Sequence, residues 1–257
     1  MQTLNKHVKW RIEKKEILIC DCKRLIDLKL PLEYTGFMKK LERGFEKNML
    51  NQKEKLAFKD FEKMRLLSNL EIRQIREKEF NNAMSILDKE LGKNRVRDKD
   101  FVYNKFKGYS QFFIGLFLDN EIIGIICGFP REDYLLISEI AVDLKFHNRG
   151  FGKKLVKEFE KRAVKKYNQI NAGAEDKAVG FYNSLPDYKP FLLIQFAKKD
   201  YSDKNFSGFK FIKKYDFDKE NRAIEVEIKN ADLNLLNNLR EKYPLAWFQY
   251  LFVKKLI

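Results

Sequence analysis

The chain has 257 residues, 44% of them hydrophobic, with 23 Phe and 11 Tyr; that is enough to bury a sizeable core and excludes global disorder. Its formal net charge of +15 fits a polyanionic partner, nucleic acid or a phosphorylated cofactor. It fits a Lys-rich solvated surface better, because Lys and Glu mix along runs such as Glu13-Lys14-Lys15-Glu16.

Only three cysteines are present, Cys20, Cys22 and Cys127, which excludes a disulfide framework and suits a reducing cytoplasm. On one strand Cys20 and Cys22 would share a face, too close for an easy disulfide. His7 and His147 are too few to complete a zinc site, so no metal is expected. The stretch from Gln2 to Lys9 is polar, unlike a signal peptide, and no apolar run approaches the ~18 residues of a membrane span. The expectation is a cytoplasmic protein without membrane contact.

In chain order, Val8, Trp10 and Ile12 alternate with polar residues and predict a strand. Further strands follow at Ile17–Cys20 and Leu25–Leu28. Pro31 suits the first position of a helix whose apolar face is Leu32, Phe37, Met38 and Leu41, stopped by Gly44. A second helix is predicted from Gln52 to Leu67. Three small strands and two helices suggest a winged-helix-like unit over residues 1–68.

Leu70–Ile75 predicts another strand, followed by a helix with Phe80, Met84, Leu87 and Leu91 on one face. Residues 93–109 read as irregular. Strands are predicted at Phe112–Leu118, Ile122–Phe129 and Tyr134–Val142. The turn at Asp119-Asn120 makes them an antiparallel meander. A helix opens at Gly150-Phe151-Gly152, with Phe151, Leu155, Val156 and Phe159 in its buried stripe. Beyond it the pattern predicts a strand at Gln169–Ala174, a helix at Asp176–Leu185 and a strand at Phe191–Phe196. A strand at Ala223–Ile228, a helix at Asp232–Lys242 and a strand at Ala246–Val253 complete the tail.

The stretch from Ile137 to Leu155 carries the chemistry. A strand runs through a short loop into a helix whose first turn is rich in glycine. The first N–H groups of a helix lack internal partners and lie at the positive end of its dipole. Glycine lets a phosphate approach those groups closely. Arg149, Lys153 and Lys154 add charge at the same place, and the result is a diphosphate cradle. No Gly-x-x-x-x-Gly-Lys-[Ser/Thr] loop exists in the chain, and Gly150-Phe151-Gly152 lacks the third glycine of a dinucleotide fingerprint.

This stretch resembles motif A of the GNAT superfamily of N-acetyltransferases, [Gln/Arg]-x-x-Gly-x-[Gly/Ala]. Here it reads His147-Asn148-Arg149-Gly150-Phe151-Gly152, with Leu155 three residues on, and His147 departs from the usual Gln or Arg. The strand and helix after Leu70, the meander to Val142 and the Phe181-Tyr182 pair extend the resemblance over about residues 69–190.

The resemblance implies an α+β fold: a mixed, mostly antiparallel sheet flanked by helices over residues 69–199. A winged-helix-like domain would precede it, and residues 200–257 would form a C-terminal α/β extension packing on or completing it. It implies an acyltransferase that moves an acetyl group from acetyl-CoA directly to a primary amine, on a small molecule or a protein. Backbone groups of Ile140, Ala141 and Val142 would bind the pantetheine arm. The N–H groups of Asn148, Arg149, Gly150, Phe151, Gly152 and Lys153 would hold the pyrophosphate. Tyr182 would protonate the departing thiolate, and Glu139 is the candidate base by position. The alternative is a basic nucleic-acid- or peptide-binding regulator with a CoA-sensing domain, in which nucleic acid is admitted but not favoured. The aromatic tail would complete the sheet, wall the acceptor pocket or make a homodimer contact.

Overall fold

Val8, Trp10, Ile17, Ile19, Leu28 and Leu30 turn one face of a three-stranded sheet inward in the computed structural model, which describes residues 1–92, 98–131 and 133–256. The chain opens with β1 (Gln2–Leu4) and forms that sheet from β2 (Val8–Glu13), β3 (Glu16–Asp21) and β4 (Ile26–Pro31), all antiparallel. The helices α1 (Thr35–Arg43) and α2 (Gln52–Lys63) cover the apolar face with Phe37, Met38, Leu41, Phe58 and Phe61. A short 3-10 turn over Leu32–Tyr34 separates Pro31 from α1, so the helix starts later than the proline alone predicts. Gly44 ends α1 at φ +71°, and Asn51 with Glu54 caps α2 reciprocally.

Two compact units are present: residues 1–126 with 139–158, and residues 127–138 with 159–257. In the first, β5 (Leu67–Gln74) pairs antiparallel with β1, Gln2 facing Asn69, and with β6 (Phe113–Leu118), Leu70 facing Leu118. All six residues of β6 are buried, so this strand shows no alternation. β7 (Glu121–Pro130) follows β6 through Asp119 and Asn120, both at positive φ, as a two-residue hairpin turn requires. The strand order here is β1-β5-β6-β7. α3 (Phe80–Leu91) buries Phe80, Ala83 and Leu87.

The stretch read as irregular from residue 93 to Tyr109 holds a helix, α4 (Lys99–Tyr109). Asp98 caps it, and Phe106 packs edge-to-face on Phe113 at 5.3 Å between centroids. Phe106 is its one fully buried residue, too little to form a periodic stripe in the sequence. Residues 93–97 lie outside the described residues.

β8 (Leu135–Val142) and α5 (Phe151–Ala163) each run from one unit into the other. In the second unit, Leu135–Ile137 of β8 pair with Ile170–Ala172 of β9 (Gln169–Ala174), the parallel pair of an otherwise antiparallel set. α6 (Val179–Asn183) follows, then β10 (Lys189–Ala197), β11 (Phe211–Asp216), β12 (Asn221–Glu227), α7 (Leu233–Lys242) and β13 (Trp247–Lys255). The order is β8-β9-β13-β10-β12-β11. The last strand is therefore inserted between two earlier ones, with Phe252 opposite Ala172 and Pro190. β11, β12 and β13, all beyond residue 200, belong to this sheet. Phe196, Tyr201, Phe206, Tyr243 and Phe248 form a cluster of edge-to-face and tilted ring contacts. The fold is mixed α+β with mostly antiparallel strands.

Candidate functional site

The end of β8 is held from two sides. Gly124 on β7 allows close approach: a Cβ there would stand 3.1 Å from the Ala141 carbonyl oxygen and 3.2 Å from Val142 Cγ2. The Asp143 N–H donates to the Ile123 carbonyl at 2.8 Å. The Asp143 carboxylate accepts from the Lys145 N–H at 3.0 Å and from Lys89 Nζ, on α3, at 2.7 Å. Burial opposes charge on Asp143, but these two donors outweigh it and hold the carboxyl below its ordinary range. Along the same strand Glu139, Ile140 and Val142 are half-buried and Ala141 is buried.

A 3-10 turn over Leu144–Phe146 then leads into the glycine turn. His147 Nε2 lies 2.7 Å from the Val142 carbonyl oxygen and ties the two ends of the loop together. This histidine, at the position where Gln or Arg is usual, therefore serves the loop's shape. Asn148 and Gly150 both adopt left-handed backbone, at φ +61° and +75°. Asparagine tolerates that conformation and glycine has no Cβ to clash.

The Lys154 N–H donates to the Gly150 carbonyl at 3.2 Å, which makes Gly150 the residue that caps α5. Glycine has no side-chain oxygen with which to cap the first helical turn. A Cβ on Gly150 would meet nothing within 4 Å, so the space before this turn is open. These features suit an anionic oxygen: the positive end of a helix of 13 residues, a glycine at its start, and room.

The structure thus brings Glu139, Ile140, Ala141, Val142 and Asn148–Lys153 together as one strand end and turn within the first unit. Tyr182 belongs to the second. It is only 4% exposed, stacks on Phe252 at 5.2 Å and meets Phe181 edge-on at 5.2 Å. Burial pushes its phenol well above the ordinary range, so it stays protonated at any physiological pH.

Two features were not visible in the sequence. The Lys89–Asp143 tie joins positions 54 apart, for which no local pattern exists. Arg149 is only 8% exposed, although arginine is normally a surface residue.

The basic helices have a different character. Lys40 pairs with Glu54 at 2.8 Å, Lys47 with Glu62 at 2.6 Å and Lys53 with Glu33 at 3.3 Å. These internal pairs break up the basic face over residues 31–68 that a nucleic-acid reading would need. Among the described residues no group of three or more His, Cys, Asp or Glu could hold a metal, and no helix is long and apolar enough to cross a membrane.

Residues 71–185 match the model of the acetyltransferase (GNAT) family. That stretch is similar to the family's acetyltransferase domain. No curated protein matches the chain. Among solved structures, the chain is similar to a Pyrococcus horikoshii protein (14% identity, TM-score 0.42, 60% of this chain and 50% of that one). It is similar to N-acetylglutamate synthase from Neisseria gonorrhoeae complexed with coenzyme A and N-acetyl-glutamate (13%, 0.39, 74% and 35%). It is also similar to a GNAT family acetyltransferase from Elizabethkingia anophelis with acetyl-CoA bound (16%, 0.39, 73% and 99%). The chain spans half the length of the first relative and 35% of the second. At these scores the likenesses add nothing to the family match.

Proposed function

We propose that the protein transfers an acetyl group from acetyl-CoA to a primary amine. The observation that carries this reading is the start of α5. Its capping residue is Gly150, in left-handed backbone with open space before it, inside a segment that matches an acetyltransferase family. The N–H groups from Asn148 to Lys153 hold the pyrophosphate, and backbone groups of Ile140–Val142 hold the pantetheine arm.

In the transfer the amine nitrogen attacks the thioester carbonyl carbon. A C–N bond forms, the C–S bond breaks, and the amine proton leaves to a base. A backbone N–H near Val142 stabilises the oxyanion, and Glu139 takes the amine proton directly or through water. Tyr182 gives its proton to the departing thiolate. The phenol is protonated at physiological pH, as a proton donor must be at the start of the step.

The test is calorimetry of CoA and acetyl-CoA binding to wild type and to Gly150→Asp, with folding checked by circular dichroism. The variant places a negative side chain where the diphosphate would sit, and its affinity should fall about 100-fold or more. If the folded wild type binds neither ligand, the acyltransferase reading is wrong. Once an acceptor amine is known, Tyr182→Phe should lower kcat about 10- to 100-fold with little change in acetyl-CoA affinity. An unchanged kcat would remove Tyr182 from the chemistry.

A further inference from the structure

Two cations at the start of α5 are desolvated and lack counter-ions. Arg149 is more than nine-tenths buried, and its guanidinium lies 5.3 Å from the centre of the Phe146 ring. It makes no hydrogen bond and no ion pair with any described residue; the one carboxylate whose field it feels is Glu42, in the last turn of α1. Lys154 is half-buried and its ammonium reaches only the Met1 sulfur, a weak acceptor, at 3.7 Å. The carboxylate acting on it is Glu46, four residues beyond Glu42, again without an ion pair.

Both cations therefore face the same short strip of chain. Gly44 within that strip stands close to the Phe151 ring on α5, 3.8 Å from an added Cβ. β1 anchors the strip, since Gln2 and Phe45 exchange both backbone hydrogen bonds at 2.8 and 2.9 Å.

Burying a charge without a partner is costly, and burying two of like sign on one helix end is more so. Burial accordingly lowers the proton affinity of both groups. An arrangement of this kind is relieved by an anion that accepts from a planar guanidinium and an ammonium together.

We infer that Arg149 and Lys154 form a phosphomonoester subsite beside the glycine turn, walled by residues 42–46, with Glu42 and Glu46 as the internal charges that the phosphate must outcompete. Acetyl-CoA carries such a group, the 3′-phosphate of its ribose, in addition to the diphosphate. The subsite rests on the proposed cofactor reading, and it gives the region before β5 a role: it lines the coenzyme site and tunes its preference for the phosphorylated form. A separate phosphorylated molecule offers the same chemistry.

The experiment compares CoA with dephospho-CoA by calorimetry on the full chain: wild type, Arg149→Gln, Lys154→Gln and Glu42→Gln. Wild type should prefer CoA about tenfold or more, and the preference should fall to about threefold or less in Arg149→Gln and Lys154→Gln. Glu42→Gln removes a competitor and should widen the preference about threefold, a gain that misfolding would not produce. If wild type shows no preference but binds inorganic phosphate, and Lys154→Gln abolishes that binding, the subsite stands and its phosphate comes from a separate molecule. Equal binding of both coenzymes with no binding of inorganic phosphate overturns the subsite and leaves the cofactor reading intact. No binding of either coenzyme by folded wild type overturns both.

Discussion

The helices of residues 32–63 and the start of α5 are both rich in lysine and arginine, yet they handle their charge in opposite ways. Lys40, Lys47 and Lys53 each lie against a carboxylate of the same region. On the other side of Gly44, Arg149 and Lys154 are taken out of water and given none. The difference teaches that an anion site is marked less by the number of cations than by cations that the fold desolvates and leaves without a partner. The +15 net charge is distributed over both regions and distinguishes neither.

This contrast can be tested first where pairing is strongest. Arg73 forks onto Glu79 at 2.8 Å and lies 3.7 Å from the Phe117 ring centre, with both side chains largely covered. Arg73→Leu should lower unfolding free energy by about 2 kcal/mol in denaturant titrations, because it strands a shielded carboxylate. The same variant should change the acid response. The Arg73 guanidinium holds the Glu79 carboxyl at about 2, below its ordinary 4.5. The stability from this depressed group is complete above about pH 4.5 and is lost as pH falls toward 2, and that acid-dependent part should disappear in the variant.

Arg149→Leu should behave in the opposite sense. Without ligand, replacing an unpaired buried cation by a leucine should leave stability unchanged or raise it by about 1 kcal/mol. A loss as large as that of Arg73→Leu would mean that Arg149 has a counter-ion in solution, and the comparison would fail. The smallest effect is expected at Lys47→Ala, whose pair with Glu62 is solvent-exposed and should contribute less than about 0.5 kcal/mol.

Much of the architecture was legible because local periodicity carried it. The glycine turn followed from Gly150 and Gly152 after a strand, and the boundaries of β9 matched the pattern Gln169–Ala174. α4 was not legible, since its stability comes from Phe106 packing on Phe113 and from the Asp98 cap rather than from an apolar stripe. β11 escaped for a related reason. As an edge strand it exposes Ile212, Lys213 and Lys214, and a bulge between Phe211 and Lys213 breaks the alternation that marks a strand. For the candidate site, the backbone elements were foreseen and the electrostatics were not. His147 departs from the motif, yet its ring closes the loop onto Val142.

By itself the sequence determined most of the elements, the place of the glycine turn and the cationic residues beside it. These follow from side-chain periodicity and from the conformations open to glycine, which act over a few residues. Only the tertiary structure decided that β13 enters between β9 and β10, that Lys89 holds Asp143, and that Arg149 is buried without a partner. Pairing order and desolvation are properties of distant segments brought together. Their energies depend on which neighbours exclude water from a group, and no local pattern in the chain encodes that.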